Sequence, residues 1–199
     1  KIETLGYPVV YLRPNKEGFI TPDNLETTIS DQTKLVSIMM VNNEIGTIQP
    51  IKELCNVAHN HGAVFHTDAV QALGHIPVDV KALGIDMMSC SAHKFNGPKG
   101  VGFLFIKKGT NLSAYADGGA QEFGLRAGTE NVASIVGMSV ALQKNVARLS
   151  DFQSRLLSLE QVLTDKLNSA AINYRRNGTT PRVPGNLSLS FPYADGEAI

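Results

Sequence analysis

The sequence predicts a doubly wound α/β fold, in which a mostly parallel sheet lies between helices. Two observations carry this prediction. Short apolar runs typical of buried strands alternate with segments of helical spacing, and polar residues cluster where three successive strands are expected to end. Ligands of open α/β sheets bind beyond the carboxyl ends of the strands, so we expect the three clusters to border one crevice.

Strands are expected wherever a short apolar run lies between turn signals. The run at 35–41 is almost continuously apolar, which is typical of a sheet covered on both faces. The run at 86–90 comes directly before the most polar cluster of the chain. Six strands are predicted in all, at residues 8–12, 35–41, 63–65, 86–90, 101–106 and 183–191.

Helices are expected where capping residues precede a helical pattern. Thr21 is a suitable N-cap with Pro22 at the first helical position, which predicts a helix over 23–29. A second helix is expected from Ile51 to a stop at Gly62. The others are short turns up to Leu73 and Leu83 and a long helix over 132–169, bent or broken near Ser150 and Asp151.

Composition restricts the class of protein. The 199 residues are 43% hydrophobic and carry a formal net charge of +0, so no nucleic acid or anionic membrane partner is expected. Two cysteines, no long apolar run and no signal sequence predict a cytoplasmic protein without disulfides. The chain begins at Lys1 rather than Met and closes on 196–199 in what resembles a helix start, so we expect a piece of a longer protein.

Lys94 is the main candidate for chemistry. It lies with Ser91 and His93 in the polar cluster that follows the 86–90 strand, ahead of a glycine-rich turn. A lysine becomes nucleophilic only if burial or a neighbouring cation lowers its pKa, and its usual product with an aldehyde is a Schiff base. Ser91 and His93 offer donors to an anion. The alternative is an ordinary surface loop with a solvated lysine.

The other polar clusters also have simpler explanations. Asn42 and Asn43 suit a plain turn, and Asp68 suits a helix N-cap. Ser91 and His93 can be a local hydrogen-bonding residue and a core histidine. Gln71 and Thr129, taken singly, are ordinary surface residues. These alternatives do not explain why each cluster follows a predicted strand.

The histidines and cysteines do not indicate a metal site or a nucleophile. His59 and His61 lie two residues apart near a helix end, where they point to different sides, and His66 follows separately, so we expect no metal. Cys55 lies on the apolar face of a helix and Cys90 lies within a strand. Both are predicted to be packing residues.

Four motifs in register resemble the NifS/IscS group of cysteine desulfurases. They are NNEIG at 42–46, HTDAVQ at 66–71, SAHK at 91–94 and RAGT at 126–129. The resemblance covers essentially the whole chain. It implies the aspartate aminotransferase fold, with residues 1–147 in the large domain and 148–199 forming a linking helix and the start of a small α+β domain. Phe123 departs from the pattern, since a basic residue is expected there.

The resemblance implies a pyridoxal 5'-phosphate enzyme. Lys94 would form the Schiff base with the cofactor and later shuttle the α-proton of the substrate. Asp68 would face the pyridine nitrogen and keep it protonated, so that the ring can accept electrons.

Five further residues receive cofactor-binding roles from the same resemblance. Gln71 would donate to the phenolic oxygen of the ring, and Asn43 would lie near that oxygen and the substrate carboxylate. Ser91 and His93 would hold the phosphate. Thr129 would reach the phosphate of the other subunit's cofactor, which implies a homodimer.

The implied reaction converts L-cysteine to alanine and leaves an enzyme persulfide for a sulfur-acceptor protein, either an iron–sulfur scaffold or a thiolation partner. The persulfide cysteine of the family is expected beyond Ile199, so the chain is predicted to be inactive alone and to bind the cofactor weakly or not at all. Two alternatives remain open. One is another enzyme of the same fold, such as a selenocysteine lyase, kynureninase or aminotransferase; the other is a non-catalytic α/β scaffold.

Overall fold

A computed structural model describes residues 2–197 of the chain, and its centre is a four-stranded sheet. The strands follow one another across the sheet in chain order, with β1 parallel to β2, β2 parallel to β3, and β3 antiparallel to β4. The predicted, mostly parallel sheet is therefore confirmed. The strands are β1 Leu35–Met39, β2 Val64–Asp68, β3 Met87–Ser91 and β4 Gly102–Ile106.

Five helices accompany the sheet within the described residues. Thr21 caps the first of them as predicted, because its side chain accepts from the backbone of Asn24 at 3.2 Å. The long predicted helix is broken at Arg148, two residues before the predicted position. The helices are α1 Pro22–Glu26, α2 Ile51–Asn60, α3 Val80–Leu83, α4 Val132–Ala147 and α5 Leu149–Ser169.

Helix α2 confirms the helical pattern of the sequence most closely. Its four buried residues recur every three or four positions and form one face against the sheet. Gly62 ends the helix region with a φ of 70°, a conformation that glycine adopts without steric cost. The buried positions are Ile51, Leu54, Cys55 and Ala58.

The two faces of the sheet differ, which contradicts the expectation that both are covered. Along β1, Val36 and Ile38 are buried, whereas Leu35 is 46% exposed and Ser37 is also exposed. A strand with this alternation packs one face only. The prediction of a strand covered on both faces at 35–41 is therefore wrong for the described residues, because the sequence does not show what packs on each face.

Two predicted strands are wrong. Residues 8–12 are irregular, and Val10 and Tyr11 are more than 70% exposed. Residues 183–191 contain only the short strand β6 Leu189–Ser190, which pairs with β5 Arg175–Arg176. High β-propensity forms a strand only where a neighbouring strand edge accepts it. The helix start expected at 196–199 falls partly outside the described residues.

The C-terminal segment packs on the first part of the chain. Val183 is 7% exposed within the main core, and its backbone donates to Gly46 at 2.9 Å. Glu160 of α5 accepts from Arg176 and Arg182, which ties α5 to the segment that follows it. The division into residues 1–147 and 148–199 stays a prediction. No helix of the described residues has the length and apolar character needed to cross a bilayer.

Candidate functional site

The predicted site residues of the first three strands lie at one edge of the sheet. The parallel register pairs Met39 of β1 with Asp68 of β2, and Asp68 with Ser89 of β3. All three strands therefore point their carboxyl ends the same way, about 5 Å apart. Asp68 and Ser91 stand on the same face at this edge, because Ser89 and Ser91 are two residues apart.

Asp68 is the last residue of β2, whereas the sequence predicted that the strand stops at residue 65. Its Oδ1 accepts from the backbone of Val70 at 2.9 Å, so the local capping alternative is also correct for that oxygen. The backbone of Ala69 donates to Ser89 at 2.9 Å and starts a single turn that brings Gln71, half-buried, just beyond the strand end.

Ser91 is the last residue of β3, and Lys94 belongs to the 3₁₀ turn Ala92–Phe95 that follows it. The apolar residues of this turn, Ala92 and Phe95, are fully buried, while His93 and Lys94 are exposed. Ser91 Oγ and His93 Nδ1 form a hydrogen bond of 2.8 Å. His93 is therefore not a core histidine, and Ser91 does bond locally. The turn presents a hydroxyl, an imidazole and an amine to solvent.

Gly97 and Gly102 allow the tight reversal of the chain that follows Lys94. A Cβ at Gly97 would lie 2.9 Å from Ala92 Cβ, and one at Gly102 would lie 2.4 Å from the carbonyl oxygen of Cys90. Such separations are not tolerated between non-bonded atoms. The predicted small-residue turn is confirmed, since any larger side chain at Gly102 would push β4 away from β3.

Asn42 forms the plain turn that was the alternative for the Asn pair. Its Oδ1 accepts from the backbones of Glu44 at 2.9 Å and Ile45 at 3.0 Å. Asn43 is exposed at the tip of this turn, and its carbonyl accepts from Asn186 at 3.4 Å. The structure thus places Asn43 beyond the end of β1 with its side chain open to solvent.

Thr129 lies on an exposed glycine-rich loop. The loop is closed by backbone bonds from Tyr115 to Leu125 at 2.8 Å and from Ala127 to Ala116 at 3.1 Å. Phe123, at the position that departs from the family pattern, is fully exposed with a φ of 58°. Within the described chain no hydrogen bond joins Thr129 to Asp68 or Lys94.

A histidine-centred ladder, which sequence reasoning missed, crosses the open face of the sheet. His66 Nδ1 lies 2.8 Å from Ser37 Oγ, and His66 Nε2 lies 2.8 Å from Ser89 Oγ. Burial lowers the pKa of His66, against the opposing effect of the Asp68 charge, so the imidazole is neutral. The strand register that aligns these three residues could not be read from the sequence, although all three occupy strand positions.

Two other histidines pair with carboxylates. His59 Nε2 lies 2.7 Å from Asp86 Oδ2, and His61 contacts Glu26 at 3.1 Å and Asp31 at 3.2 Å. No group of three or more metal-ligating side chains occurs within residues 2–197.

Both cysteines are buried, as predicted. Burial raises the pKa of Cys55 and of Cys90 to about 12. A thiol with so high a pKa holds its proton at neutral pH, and the proton must leave before sulfur can act as a nucleophile. Neither cysteine therefore belongs to the site chemistry.

The arrangement offers four kinds of group along one sheet edge: a carboxylate, a side-chain amide, a hydroxyl paired with an imidazole, and a lysine amine that forms no hydrogen bond or ion pair within the described residues. A carboxylate binds a protonated ring nitrogen, and donors beside a glycine turn suit an anion. Lys94 is exposed, so burial, one of the two ways of activating a lysine that the sequence analysis named, is not found here. Once it has lost its proton, a lysine amine forms an imine with an aldehyde. The edge suits an anionic ligand that carries an aldehyde.

Comparison with known proteins identifies the family of the chain. The family model described as aminotransferase class-V matches residues 1–199. A cysteine desulfurase IscS of Dictyoglomus turgidum is 46% identical over 199 residues, which are 100% of this chain and 50% of that protein. A cysteine desulfurase IscS of Methanosarcina thermophila is 45% identical over 198 residues, 49% of its length. The chain spans about half the length of these curated relatives.

Solved structures show the same fold. A NifS-like protein superposes with a TM-score of 0.93 at 36% identity, covering 99% of this chain and 54% of the other. SspA in complex with cysteine superposes with a TM-score of 0.74 at 37% identity, covering 88% of this chain and 49% of SspA. The predicted α/β fold class is therefore confirmed.

Proposed function

This chain belongs to the aminotransferase class-V family, and on that premise we propose that it is the cofactor-binding part of a pyridoxal-phosphate-dependent cysteine desulfurase. The class-V family implies pyridoxal 5'-phosphate as cofactor. The relatives named above support the choice of desulfurase over selenocysteine lyase, kynureninase or aminotransferase.

The residues at the sheet edge fit pyridoxal phosphate group by group. The cofactor has a ring nitrogen, a phosphate and an aldehyde, which call for a carboxylate, anion donors and an amine. Asp68 offers the carboxylate, Ser91 and His93 the donors, and Lys94 the amine. The single observation that carries this proposal is the parallel register of β2 and β3, since it sets Asp68 and the turn containing Lys94 at neighbouring strand ends.

Each residue would have its own role toward the cofactor or the substrate. Asp68 holds a proton on the ring nitrogen, so that the bound cofactor can accept electrons from the substrate α-carbon. Lys94 would hold the aldehyde carbon of the cofactor through Nζ, and the same amine would take the α-proton of L-cysteine. Gln71 and Asn43 would donate to the phenolic oxygen, and Asn43 would also serve the substrate carboxylate.

The sulfur step needs a thiolate that this sequence does not supply. An enzyme thiolate attacks the sulfur of cysteine, the carbon–sulfur bond breaks with its electron pair on carbon, and protonation gives alanine and an enzyme persulfide. Cys55 and Cys90 are buried with pKa values raised to about 12, so neither performs this attack. We therefore propose that the chain as printed above is inactive alone.

The remaining features of the proposal concern the assembly. We propose a homodimer in which Thr129, on its exposed loop, reaches the phosphate bound by the other copy. A sulfur-acceptor protein would take up the persulfide sulfur, and the two unpaired cysteines are compatible with a cytoplasmic location.

Reductive trapping tests the cofactor assignment. The purified chain is mixed with excess pyridoxal phosphate, reduced with borohydride, and mapped by mass spectrometry. Because reduction makes the lysine–cofactor bond permanent, weak binding is still recorded. We expect the label at Lys94, an imine absorption band before reduction, and loss of both in Lys94→Ala.

Lys99→Ala is the matched control, because Lys99 is an exposed lysine between the Lys94 turn and β4. It should keep both the band and the label. Labelling spread evenly over the exposed lysines, or a band that survives in Lys94→Ala, would reject the assignment and favour a non-catalytic scaffold.

A further inference from the structure

The turn that carries Lys94 is held from outside by helix α4. Asn145 Nδ2 donates to the carbonyl oxygen of Phe95 at 2.7 Å and to that of Ala141 at 2.8 Å. Asn96 Nδ2 approaches Asn145 Oδ1 at 3.5 Å. The first bond reaches the residue next to Lys94, while the second ties the Asn145 side chain to its own helix.

The orientation of the Asn145 amide follows from its partners. Both short contacts are made to carbonyl oxygens, which accept only, so the amide nitrogen must face them. Its two N–H groups are used in full, one on the helix and one on the turn. The Asn145 side chain therefore links α4 to the turn in one orientation, through two hydrogen bonds.

Backbone hydrogen bonds and burial also hold the turn. At its start, the backbone of Ala92 donates to Val101 at 3.1 Å, and inside it the backbone of Gly97 donates to Ala92 at 2.8 Å. The Phe95 ring is fully buried. Asn145 supplies a side-chain hydrogen bond to the end of the turn, where the chain leaves Lys94.

Residues 74 and 75 form a second segment beside Lys94, and they contact the junction between α4 and α5. A Cβ at Gly74 would lie 2.9 Å from Phe95 Cβ and 3.4 Å from Asn145 Cβ, so the three residues are in direct contact. The next residue, His75, accepts from Gln153 of α5 at 2.6 Å through its carbonyl oxygen. The amide side chains of Asn145 and Gln153, on either side of the break between α4 and α5, thus hold the segments that contain Phe95 and His75.

We propose that Asn145 is a positioning residue for Lys94, which fixes the direction in which the lysine leaves its turn. The proposal rests on the proposed function, because it assumes that Lys94 forms the imine. Asn145 touches neither ligand nor lysine amine; it acts through the Phe95 carbonyl. The α4–α5 junction is thereby coupled to the reactive amine.

The first test is hydrogen exchange of the backbone amides at 92–97 in Asn145→Ala and Asn145→Asp. Asparagine and aspartate have the same shape, but the carboxylate cannot donate to the Phe95 carbonyl. We expect exchange about fivefold faster in both variants, which corresponds to about 1 kcal/mol for one lost hydrogen bond. Gln143→Ala, an exposed amide on the same helix, should exchange at the wild-type rate.

The second test asks whether the lysine itself is reoriented. The visible circular dichroism of the pyridoxal phosphate imine depends on how rigidly the imine is held, and it is measured per mole of imine formed. We expect both Asn145 variants to form the imine at Lys94 with at least a twofold smaller signal, and Gln143→Ala to match the wild type. A general loss of stability would not change the signal per mole of imine.

The outcomes separate the two proposals. If the wild-type chain is not labelled at Lys94, the proposed function fails. If the wild type is labelled at Lys94 and both Asn145 variants keep its exchange rates and its dichroism, the positioning role is wrong while the proposed function stands.

Discussion

His59 and Asp86 join the end of α2 to the start of β3 through a contact of 2.7 Å between Nε2 and Oδ2. The same carboxylate accepts from the backbone of Phe65 at 2.9 Å and from Lys107 Nζ at 3.1 Å. Burial on its own would raise the pKa of Asp86, but the hydrogen bonds from Phe65, His59 and Lys107 outweigh it and lower the pKa. Asp86 is thus a buried charge whose partners hold three elements together.

Replacing Asp86 should therefore destabilise the fold. Asp86→Ala leaves the Phe65 N–H without its acceptor and removes the carboxylate that pairs with His59 and Lys107, so we expect the free energy of unfolding to fall by roughly 3 kcal/mol. Denaturant unfolding measures the change, with Asp117→Ala as an exposed control. Because the pKa of Asp86 is depressed, its contribution is present above the unfolded pKa and is lost as the pH falls through the folded one. A wild-type unfolding midpoint in Asp86→Ala would show that the network is unimportant.

His61 should make stability depend on pH in the opposite sense. Both of its ring nitrogens contact carboxylates, Glu26 through Nε2 and Asp31 through Nδ1, and these hydrogen bonds raise its pKa above 6.5. A raised pKa stabilises the fold fully below the unfolded value, and the stabilisation is lost as the pH rises through the folded value. From about pH 5 to about pH 9 the unfolding midpoint of the wild type should decline relative to that of His61→Asn, because the lowered pKa values of His66 and His75 act in the opposite sense in both proteins. An identical decline in the variant would assign the effect to another group.

Gly102 should not tolerate a side chain. Its added Cβ would stand 2.4 Å from the Cys90 carbonyl oxygen, where β4 pairs with β3 behind the Lys94 turn. We expect Gly102→Ala to lower the free energy of unfolding by about 2 kcal/mol, because backbone rather than a mobile side chain must move. Thermal unfolding reports the loss. Gly196→Ala, whose Cβ would meet nothing within 4 Å, is the control and should melt with the wild type.

Features decided by neighbours in the chain were predicted well. The Thr21 cap and the apolar face of α2 follow from residues at most four positions apart, and the structure has both. The end of β3 at Ser91 was predicted to within one residue because turn residues follow it, whereas the end of β2 at Asp68 was predicted three residues too early. Local patterns were thus sufficient to place most of the candidate site on one sheet edge.

Features decided by distant parts of the chain were not predicted. Residues 8–12 have strand propensity, yet they pair with no strand of the described chain. The bridge from Ser37 through His66 to Ser89 depends on strand register, and the Asn145 contact depends on how α4 packs. A single sequence specifies neither, because both join residues more than twenty positions apart.

Cys55 and Cys90 should not react with thiol reagents in the folded chain. Both are buried, and burial raises each pKa to about 12, so almost no thiolate exists near neutral pH. We expect an aromatic disulfide reagent to titrate fewer than about one thiol in native buffer over the time in which it titrates both in denaturant. The Cys55→Ala and Cys90→Ala variants identify which thiol accounts for any residual reaction.

The same burial predicts that the purified chain releases no alanine from L-cysteine, even with Lys94 loaded with pyridoxal phosphate. Sulfur transfer needs a thiolate that can approach the substrate, whereas Cys55 faces the sheet from α2 and Cys90 lies inside β3. Alanine is quantified by chromatography beside the Lys94→Ala variant, which sets the background. Alanine above that background, abolished by either cysteine substitution, would show that one of these thiols leaves the core and would overturn the assignment of both as packing residues.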